Sequence, residues 1–199
     1  MDDISLSDAC TALQKEHLVV YPTETLYALG ADIFQKKAIK KVFSIKQRPL
    51  SLPLSVGVSS LKQVETIAKI NTVAELLIQS FLPGPLTIIL EKKPDLSNVL
   101  SAGKNTIGIR IPNDPLALKL LSKYGPLTCT SANIHGKQTP ESITAIRDMF
   151  KSDEITVYLD DGNRKGLPST IVDVSTGQLK ICREGSISLE ELQTVVSKS

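Results

Sequence analysis

Apolar positions recur at helical spacing from Lys36 to Lys46, where Ala38, Ile39, Val42, Phe43 and Ile45 gather on one arc at about 100° per residue. Lys36, Lys37, Lys40 and Lys41 fall outside that arc, whereas Lys46 falls back inside it. Pro49 disfavours helical geometry at Arg48, so the helix is expected to stop there. Two cations turned inward call for an anionic partner, since an unpaired buried charge is costly. Snorkelling at a frayed helix end is the plainer alternative. The same periodicity predicts helices over Leu6–Glu16, Leu61–Ala68, Val73–Phe81, Pro115–Lys123 and Glu141–Phe150, with a last short one carrying Leu189, Leu192, Val195 and Val196.

Short apolar runs bounded by Pro, Gly and Asn read as strands at Leu18–Tyr21, Leu54–Val58, Leu86–Leu90, Thr106–Ile111, Leu127–Thr130, Thr156–Leu159, Thr170–Val174 and Leu179–Cys182. Strands and helices alternate early and strands cluster late. That order predicts an α/β chain of the α+β type, a twisted mixed sheet with flanking helices rather than a purely parallel one.

Composition narrows the classes. At 199 residues, 41% hydrophobic and 22% charged, the chain reads as one globular domain over 1–199. A net charge of +2 leaves any anion site to local clustering. No apolar run approaches the ~20 residues of a membrane helix, and the acidic start lacks a signal-peptide core. Cys10, Cys129 and Cys182 are scattered, which argues against a disulfide framework or zinc site and points to a reducing cytoplasm.

Several chemistries drop out. Gly103-Lys104-Asn105 is no phosphate loop, because Asn98 and Asn105 stand where Gly and Ser or Thr are required. Two histidines, His17 and His135, cannot build a histidine-rich metal site, and no nucleophile elbow surrounds Ser131. What remains is a set of polar residues at strand ends and turns. These are Tyr21-Pro-Thr23-Glu-Thr25-Leu-Tyr27, Gly108-Ile-Arg110, Thr128-Cys-Thr130-Ser131-Ala132-Asn133, Pro168-Ser169-Thr170 and Cys182-Arg183. Gly108 shares a strand face with Arg110 and is expected to leave room beside it. Each segment also suits ordinary turn and cap chemistry. Together, Lys46, Arg48, Arg110 and Arg183, with the surrounding hydroxyls, suit a ligand carrying a carboxylate and several phosphates.

The ordered runs Tyr21–Tyr27, Lys46-Gln-Arg-Pro49, Pro83-Gly-Pro-Leu-Thr87, Gly108–Pro112, Ser131-Ala-Asn133, Ser169-Thr-Ile-Val-Asp173 and Arg183-Glu-Gly185 closely resemble the YrdC family across about residues 10 to 186. The resemblance implies the YrdC-like fold with a basic cleft and a threonylcarbamoyl-AMP synthase. Such an enzyme condenses L-threonine, bicarbonate or CO2, and ATP, and releases pyrophosphate, for threonylcarbamoyl-adenosine modification of tRNA. It implies that Lys46 and Arg48 meet the ATP phosphates and that Ser131, Ala132, Asn133, Arg183 and Thr106 lie against the nucleotide. Arg110 would hold the threonine carboxylate, with Thr23, Thr25, Thr130 and Ser169 around the amino acid. Mg2+ would arrive with ATP rather than occupy a protein cage, and downstream threonylcarbamoyl-transferase machinery would be a partner.

Ala28 stands where the family has Gly, and Val56-Gly57-Val58 fills the stretch where two-domain members carry a histidine. The end at Ser199 reads as the single-domain form. A carbamoyl-adenylate enzyme and a non-catalytic module that binds double-stranded RNA or the ribosome are the alternative readings.

Overall fold

The computed structural model describes residues 3–197. Among them, helices α1 (Asp3–Gln14), α2 (Lys36–Lys46), α3 (Leu61–Ile67), α4 (Thr72–Phe81), α5 (Pro115–Tyr124), α6 (Ile143–Phe150) and α7 (Leu189–Val196) surround eleven short strands. The strands form two mixed sheets rather than one. The smaller has the order β8 (Thr130–Ser131), β2 (Ala28–Gly30), β1 (Leu18–Tyr21), β9 (Ile155–Tyr158). The larger has the order β11 (Lys180–Arg183), β10 (Thr170–Asp173), β5 (Leu86–Lys92), β6 (Thr106–Arg110), β3 (Val56–Gly57), β7 (Leu127–Thr128), with β4 (Ala68–Lys69) paired to β5.

β1 explains its own sequence. All four of its residues are buried because it separates two cores. Leu18 and Val20 belong to the larger apolar cluster, while Val19 and Tyr21 belong to a smaller one shared with α1 and α5. A strand covered on both faces reads as an unbroken apolar run, which Leu-Val-Val-Tyr is. β2 had no sequence signal. It turns the stretch after Pro22 into an antiparallel hairpin with β1, pairing Val19 with Gly30 and Tyr21 with Ala28.

The expected strand over Leu127–Thr130 is divided. β7 pairs with β3 in the large sheet, and β8 pairs with β2 in the small one, so Cys129 marks the crossing between sheets. Its amide donates to Ser55 O at 2.8 Å. The chain thus carries polar residues from one sheet to the other where the sheet edges part, and the main cavity opens there.

Helix α2 has the bounds that its periodicity gives. Ala38, Ile39, Val42, Phe43 and Lys46 are its buried residues, and Ile45 is only half-buried. Gln47 ends the helix in the left-handed region at φ 49°. Its amide, with that of Arg48, returns to Phe43 O and Ser44 O. Ser60, Asn71, Asp114, Ser142 and Ser188 cap the N-termini of α3 to α7, each side chain accepting from a first-turn amide.

Candidate functional site

A cavity of about 650 Å3, the size of a small-ligand site, lies between the sheets. The hairpin loop of β1 and β2 supplies Thr23 and Thr25. Their hydroxyls stand 3.0 Å apart, and Thr23 Oγ1 closes the loop by donating to Leu26 O at 2.6 Å. The end of β6 supplies Arg110, and the crossing segment supplies Cys129, Thr130, Ser131 and Asn133. Ser169 enters from the start of β10 and Arg183 from the end of β11. A strap over residues 160–168 forms a further wall with Arg164, Lys165, Gly166 and Pro168.

Arg110 is 6% exposed. Its Nη2 donates to Thr25 Oγ1 at 2.9 Å and lies 2.9 Å from Glu24 Oε2. Its Nε is buried without an acceptor. Gly108, two residues earlier, leaves no open space: an added Cβ would meet Ser55 Oγ at 3.0 Å and Thr87 Cγ2 at 3.2 Å. The missing side chain lets two cavity-lining residues pack against the strand, so the expected room is already filled.

Arg183 is docked by Ser169, whose carbonyl accepts from Nη2 at 2.7 Å. Ser169 Oγ stands 2.9 Å from Thr87 Oγ1. Burial lowers the Arg183 pKa, and the neighbouring Arg110 charge lowers it further. Arg48 donates through Nη2 to Pro53 O at 2.8 Å and through Nε to Leu52 O at 3.2 Å, and burial lowers its pKa.

Lys46 is buried at 1% exposure, as its place on the helical arc requires, yet it faces no anion. Its Nζ donates to Asn133 O at 2.7 Å, to Asn133 Oδ1 at 3.0 Å and to Ser131 O. An ammonium has three protons, and three oxygens take them. Burial, with a smaller contribution from Arg48, pushes its pKa down to about 7. The expected anionic partner is therefore replaced by carbonyl oxygens of the turn that bears Ser131 and Asn133. Ser131 Oγ donates to Asn133 Oδ1 at 2.6 Å, and Asn133 Nδ2 donates to Lys137 O at 2.5 Å.

The structure thus brings Thr23, Thr25, Arg48, Arg110, Thr130, Ser131, Asn133, Ser169 and Arg183 to the lining of one cavity. Lys46 lies beneath the wall. Ala132 is fully buried, its amide donating to Tyr27 O at 2.8 Å. Thr106 lies at the other end of β6 from Arg110, paired with Glu91 and away from the cavity lining. Sequence reasoning did not single out Glu24, Lys137, Arg164 or Lys165. The Arg164-Lys165 pair just before Gly166-Leu-Pro-Ser was the available signal.

Arg164 ties the strap down by pairing with Asp114 at 3.1 Å and with Asp161. Gly166 N donates to Thr25 O at 2.9 Å. The described cavity lining contains no histidine, and burial raises the thiol pKa of Cys129, its one cysteine. Its arginines, lysines and hydroxyls are the chemistry that suits an anionic ligand, and a raised pKa keeps the Cys129 thiol protonated. Among the described residues no group of three or more His, Cys, Asp or Glu side chains converges as metal ligands, and no helix is long and apolar enough to cross a membrane.

Comparison with known proteins agrees with this geometry. A family model, Sua5/YciO/YrdC, described as "Telomere recombination", matches residues 11–185. A putative threonylcarbamoyl-AMP synthase of Methanocaldococcus jannaschii is 39% identical over 177 residues, covering 88% of this chain and 83% of that protein. The threonylcarbamoyl-AMP synthase of Pyrococcus abyssi is 36% identical over 189 residues; the match covers 94% of this chain but only 55% of that longer protein. The crystal structure of P. abyssi Sua5 complexed with L-threonine superposes with a TM-score of 0.92 at 34% identity, covering 98% of this chain and 58% of that one. With the family model spanning most of the chain and the two-sheet fold in common, the protein belongs to the Sua5/YciO/YrdC family.

Proposed function

We propose that this protein is an L-threonylcarbamoyladenylate synthase, forming threonylcarbamoyl-AMP and pyrophosphate from L-threonine, bicarbonate or CO2, and ATP. The observation that carries the reading is one cavity of about 650 Å3. There a buried arginine with an unsatisfied Nε, ringed by hydroxyls, shares the cavity lining with Arg48, Arg164, Arg183 and the Ser131–Asn133 turn. The names of the relatives supply the reaction.

Arg110, with Thr23, Thr25, Thr130 and Ser169 around it, receives the amino-acid carboxylate. Arg48, Arg183, Ser131 and Asn133 face the nucleotide, and Lys46 acts on it through the turn. The threonine ammonium gives up one proton to solvent, the free amine forms an N–C bond with CO2 as a C–O π bond opens, and a second proton leaves the nitrogen to give the carbamate. A carbamate oxygen then bonds to the α-phosphorus of ATP, and the bond from that phosphorus to the bridging oxygen breaks to release pyrophosphate. Such a displacement is served by alignment and charge neutralisation, which matches a cavity of arginines and hydroxyls. Mg2+ is carried in by the ATP phosphates, which supply its oxygen ligands. The product feeds a transferase acting on tRNA in the cytoplasm.

The test is pyrophosphate release from Mg-ATP with each of threonine and bicarbonate omitted in turn. Release should require both. Release without threonine at the full rate would overturn the reading and favour the carbamoyl-adenylate alternative.

A further inference from the structure

Glu24 is the one acidic residue in the Tyr21–Tyr27 run, and none of the roles above uses it. It lies outside the cavity lining, although Thr23 and Thr25 on either side are part of it. Its Oε2 lies 2.9 Å from Arg110 Nη2, while both of its carboxylate oxygens are buried without a hydrogen-bond donor of good geometry. The guanidinium therefore stands between two settings. On one side is Glu24, outside the lining, which shares Nη2 with the cavity-lining Thr25. On the other is the cavity, with Arg183 near enough for its charge to be felt.

Two arginines converging on one site without a counter-charge would make a strong seat for any multivalent anion. The substrate load of such a cavity includes triphosphate and pyrophosphate, both far more highly charged than an amino-acid carboxylate. A fixed carboxylate beside one arginine lowers the local positive charge while holding that arginine's orientation.

On the reading that Arg110 receives the threonine carboxylate, we propose that Glu24 is a positioning and specificity residue. It fixes the Arg110 guanidinium and keeps the amino-acid end of the cavity selective for a single carboxylate over phosphate groups. It contacts neither substrate; it acts through Arg110.

The experiment compares wild type with Glu24→Gln and Glu24→Asp in pyrophosphate-release kinetics and in calorimetric titration of each protein with L-threonine and, separately, inorganic pyrophosphate. Loss of the charge should raise KM for threonine by about ten-fold or more while kcat falls less, as expected when a substrate-orienting group is loosened. KM for ATP should stay within about two-fold. Pyrophosphate should bind Glu24→Gln more tightly than wild type and compete with threonine, a change that mere loosening of the fold would not produce. Glu24→Asp, which keeps the charge, should recover pyrophosphate discrimination at least in part.

Equal losses for threonine and ATP, or unchanged pyrophosphate binding in Glu24→Gln, would overturn the proposal. Should Glu24→Gln fail to fold, Glu24→Asp decides the matter: its shorter reach should still raise KM for threonine alone, and an unchanged KM overturns the proposal. Failure of the underlying functional reading looks different, because wild type itself would then show no threonine-dependent pyrophosphate release.

Discussion

Replacing Lys46 by Met separates the fold from the chemistry. Met keeps an unbranched stem of similar length in the buried slot and removes only the ammonium. Three oxygens, Ser131 O, Asn133 O and Asn133 Oδ1, then lose this donor, but Ser131 O still accepts from Asn133 N at 2.9 Å and Asn133 Oδ1 from Ser131 Oγ, which leaves Asn133 O as the stranded acceptor. Leaving a buried acceptor unsatisfied costs about 1–3 kcal/mol, which is the cost at Asn133 O if nothing relaxes. Against that stands the relief of no longer burying a charge. The fall in pKa from 10.5 to about 7 corresponds to about 5 kcal/mol at about 1.4 kcal/mol per factor of ten. The two effects are opposite in sign, and the relief is the larger. Lys46→Met should therefore fold at least as stably as wild type, with a gain of up to about 2–4 kcal/mol.

Activity has no such compensation. Lys46 is what holds Asn133 Oδ1 in place, and Asn133 Oδ1 in turn accepts from Ser131 Oγ. Freed of it, the turn can move by an ångström, and misplacement of that size can cost about a hundred-fold in rate. Lys46→Met should therefore melt at or above wild type in urea or heat, yet form adenylate at least about a hundred-fold more slowly. The loss should be in kcat and in KM for ATP, with threonine binding retained. Turnover within a few-fold of wild type would show that the three contacts do not position the turn. A large loss of stability would show that the carbonyls outweigh the buried charge.

The lowered pKa of Lys46 also sets a pH dependence. Between about pH 7 and 10.5 the unfolded chain holds the Lys46 proton and the folded chain releases it, so stability attributable to this residue should rise with pH across that window and be flat below it; denaturation of wild type against Lys46→Met from pH 6.5 to 9.5 should show that difference, and parallel curves would refute it. Arg110→Ala strands the Glu24 carboxylate beside a cavity and should destabilise by roughly 3–5 kcal/mol; adding Glu24→Ala should restore part of that loss, and strict additivity in urea titrations would deny the pairing. Gly166→Ala would place a Cβ 2.6 Å from both Cα and O of Thr25; the strap should lift, weakening threonine binding in calorimetry with little effect on ATP, and unchanged binding would show the strap is free to move. Lys40→Ala should leave turnover intact, whereas Lys41→Ala, which breaks a 2.7 Å contact with Glu154, should cost about 1 kcal/mol of stability and no activity; inactivity of either would give the basic face of α2 a role and favour RNA binding.

Lys41 shows where periodicity stops being informative. It falls on the polar side of α2, as the arc requires, but it is only partly exposed because Glu154 and Glu16 O reach it from other elements. Lys46 shows the same limit from the buried side. Its burial follows from local spacing, while its partners come from residues 85 and 87 positions away. Charge alone suggested an anion, and the chain instead supplies the Asn133 side-chain amide oxygen and two backbone carbonyls, the latter carrying no signature in the amino-acid letters. β2 was illegible for a related reason. Ala-Leu-Gly has no β-branched residue and no alternation, and pairing with β1 and β8 makes it a strand.

The crossing at Cys129 was hidden in an apolar run that looked continuous. A change of sheet partner alters what surrounds each residue without altering its hydrophobic pattern. The site fared better than the strands because its residues are polar where a buried strand end has no structural need of polarity. That reasoning picks out Arg110, Ser131 and Asn133 whatever their partners. It does not place Thr106, assigned to the nucleotide by resemblance, which lies at the opposite end of the same strand as Arg110 and outside the cavity lining. Nothing in the sequence tells which end of β6 faces the cavity. That is decided by the parallel pairing of β3 with β6, which sets Gly57 beside Arg110, next to the turn at Cys129 where the two sheets part.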